Sequence, residues 1–356
     1  MEDTFGRTIT YLRLSVTDLC NYRCCYCMAP EGVEKTAHGA VCSLEELRDM
    51  TAAAVACGVR KVRITGGEPL VRRKDIIRLC EKHSDCAFHA FTNATLIDEE
   101  LCREMQRVGN LSLSISLEGF EEVNDGRRGQ GIYKKVLDAM DLLKAHGLIF
   151  GTSICYTRNN VDVVSSDEFL DLIIEKGCRF TWYFHYMPVG NDAATELLPT
   201  REQREYMYHR VREIRAKEGG KPIFAMDFQN DGGYVGGCIA GGRFYCHINP
   251  NGDMEPCVFI HYSDANIHNN TLLECFQQPI FRAYRRGQPF NENHLRPCPM
   301  LENPECLKAM VEETGARSTD LQSPESAEHL CEKCMPYAKD WKDKADELWE
   351  NRKSRG

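Results

Sequence analysis

Between Tyr11 and about Glu218 the chain alternates short apolar, β-branched or aromatic runs with stretches whose apolar residues recur every three or four positions. The first pattern fits strands and the second amphipathic helices. Their regular alternation predicts a parallel sheet with helices packed on it. The expected strands are Tyr11 to Val16, Val59 to Ile64, Ala87 to Phe91, Leu111 to Leu117, Ile149 to Tyr156 and Phe180 to Met187. Ser43 with Glu46, and Thr200 with Gln203, have capping-box spacing and mark helix starts. Six strand-helix units are too few to close an eight-stranded barrel. The expected fold is therefore α/β, a partial (β/α)6 TIM-like barrel with its ligands at the C-terminal ends of the strands.

The pattern breaks at Gly219-Gly220-Lys221-Pro222, where a Gly- and Cys-rich region begins. This suggests a core domain over 1–220, a Cys-rich domain over 221–340 and a helical tail over 341–356. The tail rests on the amphipathic, highly charged run Lys339 to Lys353, which reads as a solvated helix. Within the Cys-rich region, Phe244 to Cys257 reads as a hairpin turning at Asn251-Gly252. The glycine pairs before Cys238 and Arg243 lack the GxxxxGK[ST] of a phosphate loop and suit a flexible approach to Cys238.

Composition narrows the function classes. The chain has 356 residues, 42% of them hydrophobic, which suffices for a large core. A net charge of -9 argues against a nonspecific nucleic-acid or membrane surface, which needs clustered Lys and Arg. No apolar run approaches the roughly 20 residues of a membrane-spanning helix. Met1-Glu2-Asp3-Thr4 has no signal-peptide character, so a cytoplasmic location is expected, with no nucleic-acid or membrane partner. In that reducing compartment, 19 cysteines read as metal ligands and core thiols rather than disulfides.

The densest chemistry lies in Cys20-Asn21-Tyr22-Arg23-Cys24-Cys25-Tyr26-Cys27. Cys20, Cys24 and Cys27 offer three soft thiolates, which suit a four-iron cluster and leave one iron open for a ligand. Cys25 fits no ligand position and is expected to face away. Incidental thiols, or half of a zinc site, are the bland alternatives. About forty residues on, Gly66-Gly67-Glu68-Pro69 follows the β-branched run Val62-Arg63-Ile64-Thr65; glycines there let backbone approach a ligand closely, and Glu68 supplies a negative charge. Ser112, Ser114 and Ser116 alternate with apolar residues and share one face of a strand, so their hydroxyls line the site if that face is the barrel interior.

The CxxxCxxC loop with Tyr26, followed by GGEP, resembles the radical S-adenosylmethionine (SAM) enzymes. The resemblance implies a 4Fe-4S cluster at Cys20, Cys24 and Cys27, whose open iron chelates SAM and whose electron breaks it to a 5′-deoxyadenosyl radical. It further implies that Gly66, Gly67, Glu68 and Pro69 bind the SAM amine, that Ser116 contacts SAM and that Arg128 meets its carboxylate. Arg128 lies in Asn124-Asp125-Gly126-Arg127-Arg128-Gly129, similar to the family's HDxxRG except that Asn124 replaces His. Asn93 is a candidate for the ribose or amine. For Asn93, Ser116 and Arg128, an ordinary strand-end or turn role is the competing reading.

Cys238, Gly252 and Cys257 resemble the start of a SPASM extension, which implies an auxiliary 4Fe-4S cluster. The expected ligands are Cys238, Cys257, Cys298 and Cys306, with Cys246, Cys331 and Cys334 competing; Cys331-x-x-Cys334 is equally good as a zinc half-site. The leading function is a radical SAM enzyme that modifies a peptide or small organic substrate and draws electrons from a donor such as flavodoxin or ferredoxin. The first ~75 residues also resemble the GTP 3′,8-cyclases of molybdenum-cofactor biosynthesis, in which positions like Arg13, Lys61 and Arg63 serve a triphosphate. GTP cyclisation is therefore the alternative reaction, although inefficient GTP turnover is expected because the Cys-rich half differs. A non-catalytic zinc or iron-sulfur scaffold is the alternative of another class, disfavoured because a scaffold needs no open iron.

Overall fold

In the computed structural model, which describes residues 10–25, 27 and 41–353, one nine-stranded sheet organises the chain. Its strands are β1 (Tyr11–Ser15), β2 (Lys61–Thr65), β3 (Ala87–Thr92), β4 (Leu111–Ser116), β5 (Phe150–Tyr156), β6 (Phe180–His185), β7 (Phe224–Asp227), β8 (His247–Ile248) and β9 (Met254–Glu255). The order is β7-β6-β5-β4-β3-β2-β1-β8-β9, parallel throughout except for the β8–β9 hairpin. All six strands expected from the pattern are present, and the sheet is the open, partial barrel anticipated. It gains β7, whose four residues are too few to show a period. The hairpin turns at Gly252, where φ is +85°, and β8 extends the sheet by pairing with β1, His247 opposite Arg13.

Side-chain alternation gives the two faces different chemistry. Leu12, Leu14, Val62, Ile64, Phe88, Ala90, Leu113 and Ile115 are buried in the hydrophobic core. The opposite face carries Arg13 and Ser15, Arg63 and Thr65, His89 and Phe91, and the three serines of β4, and forms the barrel interior. Helix starts follow the sequence signals. Ser43 caps Leu44–Ala56 and Thr200 caps Arg201–Ile214, both in complete capping boxes.

The C-terminal helix differs from its expectation. It runs unbroken over Ala327–Lys353, with Pro336 inside, so residues 341–353 continue a longer helix. Proline in a helix interior is normally a breaker, which is why the sequence pattern dates the helix only from Lys339. Nor is it merely solvated: Tyr337, Trp341, Ala345 and Leu348 are buried in the hydrophobic core.

Candidate active site

The segment leading into the cluster loop is bonded directly to the GGEP turn. Gly67 N donates to Thr17 O at 2.8 Å and Glu68 N to Leu19 O at 2.8 Å. A Cβ on Gly66 would stand 2.4 Å from Thr17 O, and one on Gly67 would stand 2.3 Å from Leu19 O. Gly66 also has φ +148°. Both glycines are thus required by close backbone approach.

Glu68 is almost fully buried, and its carboxylate accepts from Leu70 N (2.9 Å), Thr92 Oγ1 (2.8 Å) and Asn93 N (2.7 Å). Burial pushes its pKa up, against these donors and Arg128. A carboxylate has about four acceptor sites, so Oε2 keeps one for a ligand. Asn93 Nδ2 donates to Asn21 Oδ1 at 2.8 Å, and its own Oδ1 accepts from Thr95, which ties the cluster loop to the end of β3. Pro69 is buried and opens a short 3-10 turn.

Cys24 is buried, Cys20 partly so, and Cys25 and Cys27 are exposed. Burial raises the Cys20 and Cys24 thiols, and each also feels Cys27. Arg128 opposes this at Cys24, with Nη1 3.8 Å from Sγ. The other arm of Arg128 reaches Glu118 Oε1 at 2.5 Å, while its buried Nε has no hydrogen-bond partner among the described residues. Tyr26 lies outside the described residues. Ser116 stands partly buried at the end of β4, in register with Ser153 of β5.

Deeper in the barrel the hydroxyl face differs from its expectation. Ser112 and Ser114 are both engaged by His89, at 2.8 Å to Nδ1 and 2.8 Å to Nε2, so only Ser116 remains towards the strand ends. Burial, then Arg63 and Arg13, hold His89 down at about 3, and it is neutral at physiological pH. Sequence reading missed His89, although it alternates with Phe91 on the same strand face. Arg63 lies over the rings of Trp182 (4.5 Å) and Tyr11 (4.6 Å), and Arg13 over Phe91 (4.7 Å). Neither guanidinium pairs with a carboxylate among the described residues, and Arg13 Nε is buried without a partner. Lys61 sits at the exposed start of β2.

A cavity of about 610 Å³ opens between the barrel and the Cys-rich region. Arg13, Tyr11, Tyr245, Phe184 and Phe228 line it together with Cys238, Cys257 and Cys298. Burial raises all three thiols; Cys238 also feels Cys257, and Cys298 feels both. None of Cys246, Cys306, Cys331 or Cys334 lines the cavity. Cys246 is fully buried and feels Cys275, Cys306 lies on the helix Pro304–Thr314, and Cys331 and Cys334 lie on the C-terminal helix. Three of the four cysteines expected at the auxiliary site thus come together, and Cys306 does not. Among the described residues, no three Cys, His, Asp or Glu side chains are closed on a common point at metal-ligating range.

The Radical SAM superfamily profile matches residues 14–185, and the SPASM iron-sulfur cluster-binding domain profile matches residues 238–306. The GTP 3′,8-cyclase of Geobacter sulfurreducens is 36% identical over 299 residues, 80% of this chain and 90% of that protein. The chain belongs to the radical SAM superfamily. The GTP 3′,8-cyclase of Pelotomaculum thermopropionicum is 29% identical over 278 residues, 73% of this chain and 84% of that protein. Streptococcus suis SuiB bound to its precursor peptide SuiA superposes with a TM-score of 0.62 at 18% identity, over 78% of this chain and 67% of that one. The enzyme anSMEcpe with bound AdoMet and a peptide gives 0.62 at 16% identity, over 96% and 99%. At such identities the likeness is one of fold.

This radical SAM enzyme accordingly uses a 4Fe-4S cluster and SAM, and its SPASM domain indicates auxiliary iron-sulfur chemistry. The residues fit both groups: three thiols in the first loop with Arg128 beside Cys24, and three thiols around one cavity. Cys20, Cys24 and Cys27 would hold the first cluster, which would supply the electron for reductive cleavage of SAM.

Proposed function

We propose that this enzyme acts on a small organic anion held in the cavity between the barrel and the Cys-rich domain. The observation that carries the reading is the pair Arg13 and Arg63, a buried and a half-buried cation with no carboxylate partner among the described residues, Arg13 lining the cavity shared with Cys238, Cys257 and Cys298. Burying a guanidinium without an anion is costly, so the arrangement favours a ligand carrying phosphate or carboxylate. Arginine suits those groups through bidentate hydrogen bonding. The aromatic walls of Tyr11, Phe184 and Phe228 suit a flat or apolar body attached to that anion.

In this reading Cys20, Cys24 and Cys27 hold the first cluster. Glu68 and Arg128 orient the amine and carboxylate of SAM, and Ser116 and Asn93 border it. Neutral His89 anchors the serines beneath the substrate and adds no charge to compete with the arginines. A low-potential flavodoxin or ferredoxin in the cytoplasm supplies electrons.

GTP 3′,8-cyclisation is the second reading, favoured by the same two arginines and by the similarity to GTP 3′,8-cyclases over most of the chain. One experiment separates the two. Inorganic triphosphate is titrated into the anaerobic protein by calorimetry, and GTP turnover is followed with SAM and dithionite. Binding that weakens at least about tenfold in Arg13→Ala and Arg63→Ala supports the anion site, a loss of about 1.4 kcal/mol each. Cyclic product formed over many turnovers makes GTP the substrate. Triphosphate binding unchanged in both variants removes the anion reading.

A further inference from the structure

Two buried tyrosines pack against the segments that carry Cys238 and Cys257, Tyr245 lining the cavity and Tyr284 lying behind it against Gly241, and neither has a role in the function described above. Tyr245 is buried, and its Oη lies 2.9 Å from Cys257 Sγ. Its ring stacks on Tyr11 at 4.8 Å and 11°, so the hydroxyl has little freedom to turn elsewhere. Tyr284 is fully buried and its Oη has no hydrogen-bond partner among the described residues. Its ring packs against Gly241, where an added Cβ would stand 2.4 Å from Cδ1. Gly241 N in turn donates to Pro256 O at 2.9 Å, joining the loop after Cys238 to the residue before Cys257. Tyr284 therefore sits under the junction of the two cysteine segments. Burial first, then the Cys238, Cys257 and Cys298 thiols, push its ionisation well up.

A buried hydroxyl without a partner has given up its hydration with nothing in return. Unpaired groups of this kind call for an explanation, and a sulfide-rich cluster among these three thiols is one that a hydroxyl can satisfy. Resting on the reading that the SPASM domain binds a cluster, we propose that Cys238, Cys257 and Cys298 hold it while Tyr245 and Tyr284 donate hydrogen bonds to its sulfurs. The two tyrosines thereby set its reduction potential. Reduction adds negative charge to the sulfurs, and a donor stabilises that charge, so each hydroxyl raises the potential. Cys306 has no part in this site.

The test uses full-length protein, anaerobically reconstituted, as parent, Tyr245→Phe, Tyr284→Phe and Cys306→Ala. Iron and sulfide are counted, the auxiliary potential is read by an EPR-monitored redox titration, and ENDOR in H2O and D2O reports exchangeable protons near the reduced cluster. Parental iron in all three variants is expected, with a lower potential and one lost exchangeable coupling in each Phe variant. Unchanged potentials and couplings overturn the proposal, as does loss of the auxiliary iron in either Phe variant or in Cys306→Ala. Failure of the wider reading is told apart by Cys238→Ala/Cys257→Ala/Cys298→Ala: if its iron equals the parent's, the auxiliary cluster lies elsewhere.

Discussion

Gly67 shows how tightly single residues constrain the first site. A methyl group there would overlap Leu19 O, only one residue before Cys20. Leu19 O and the nearby Asp18 O are backbone atoms, so relief requires the backbone leading into the cluster loop to move. Gly67→Ala is expected to cost about 1–3 kcal/mol of stability and to lower retained first-cluster iron together with SAM cleavage. Iron counting and 5′-deoxyadenosine assays on reconstituted protein check this, and parental values for both contradict it. At this scale the sequence was informative wherever ligands cluster locally. CxxxCxxC and GGEP are short runs whose spacing alone implies their chemistry. Tyr245, Tyr284 and His89 left no such trace. Tyr245 meets Cys257 across the β8–β9 hairpin, Tyr284 comes from the helix Pro279–Gly287, and His89 meets its serines only through the β3–β4 register.

The β8–β9 hairpin illustrates the next scale, because polar groups fasten it to the barrel. Ser15 Oγ lies 2.8 Å from His247 Nε2, His247 Nδ1 lies 2.6 Å from Glu255 Oε2, and His261 Nδ1 lies 3.0 Å from Glu255 Oε1. Burial alone would raise Glu255, but His261 and His247 outweigh it and hold the carboxyl at about 2. A carboxyl depressed in the folded state stabilises the protein above its unfolded value of about 4.3, and that contribution is lost as pH falls through the folded value. Glu255→Gln is therefore expected to destabilise the protein by about 3 kcal/mol near neutrality. The difference from the parent shrinks between about pH 4.3 and pH 2. Urea unfolding of both proteins across that range checks it, and a pH-independent difference contradicts it. Element-level sequence reading succeeded where patterns were long, as in the six strands and two capping boxes. It failed at β7, which is too short to show a period, and at the C-terminal helix, where buried packing of Tyr337 and Trp341 overrides Pro336.

For the whole molecule, two sets of three thiols accompany a barrel whose interior carries two arginines with no carboxylate partner among the described residues, inside a chain of net charge -9. Local positive charge in an acidic protein points to a ligand site rather than to general surface character. Fold and superfamily were legible because alternating strands and helices, and the loop that begins at Cys20, are local signals. The substrate was not, because its site is assembled from β1, β2 and the Cys-rich region, which come together only in the folded chain. The most direct measurement is anaerobic reconstitution with iron and sulfide counting, followed by SAM cleavage under dithionite. It is applied to the parent, to Cys20→Ala/Cys24→Ala/Cys27→Ala and to Cys238→Ala/Cys257→Ala/Cys298→Ala. The account predicts two four-iron clusters in the parent, one lost in each triple variant, and 5′-deoxyadenosine formation abolished only by the first. Undiminished 5′-deoxyadenosine from the Cys20/Cys24/Cys27 variant, or stoichiometric zinc in place of the second cluster, contradicts it.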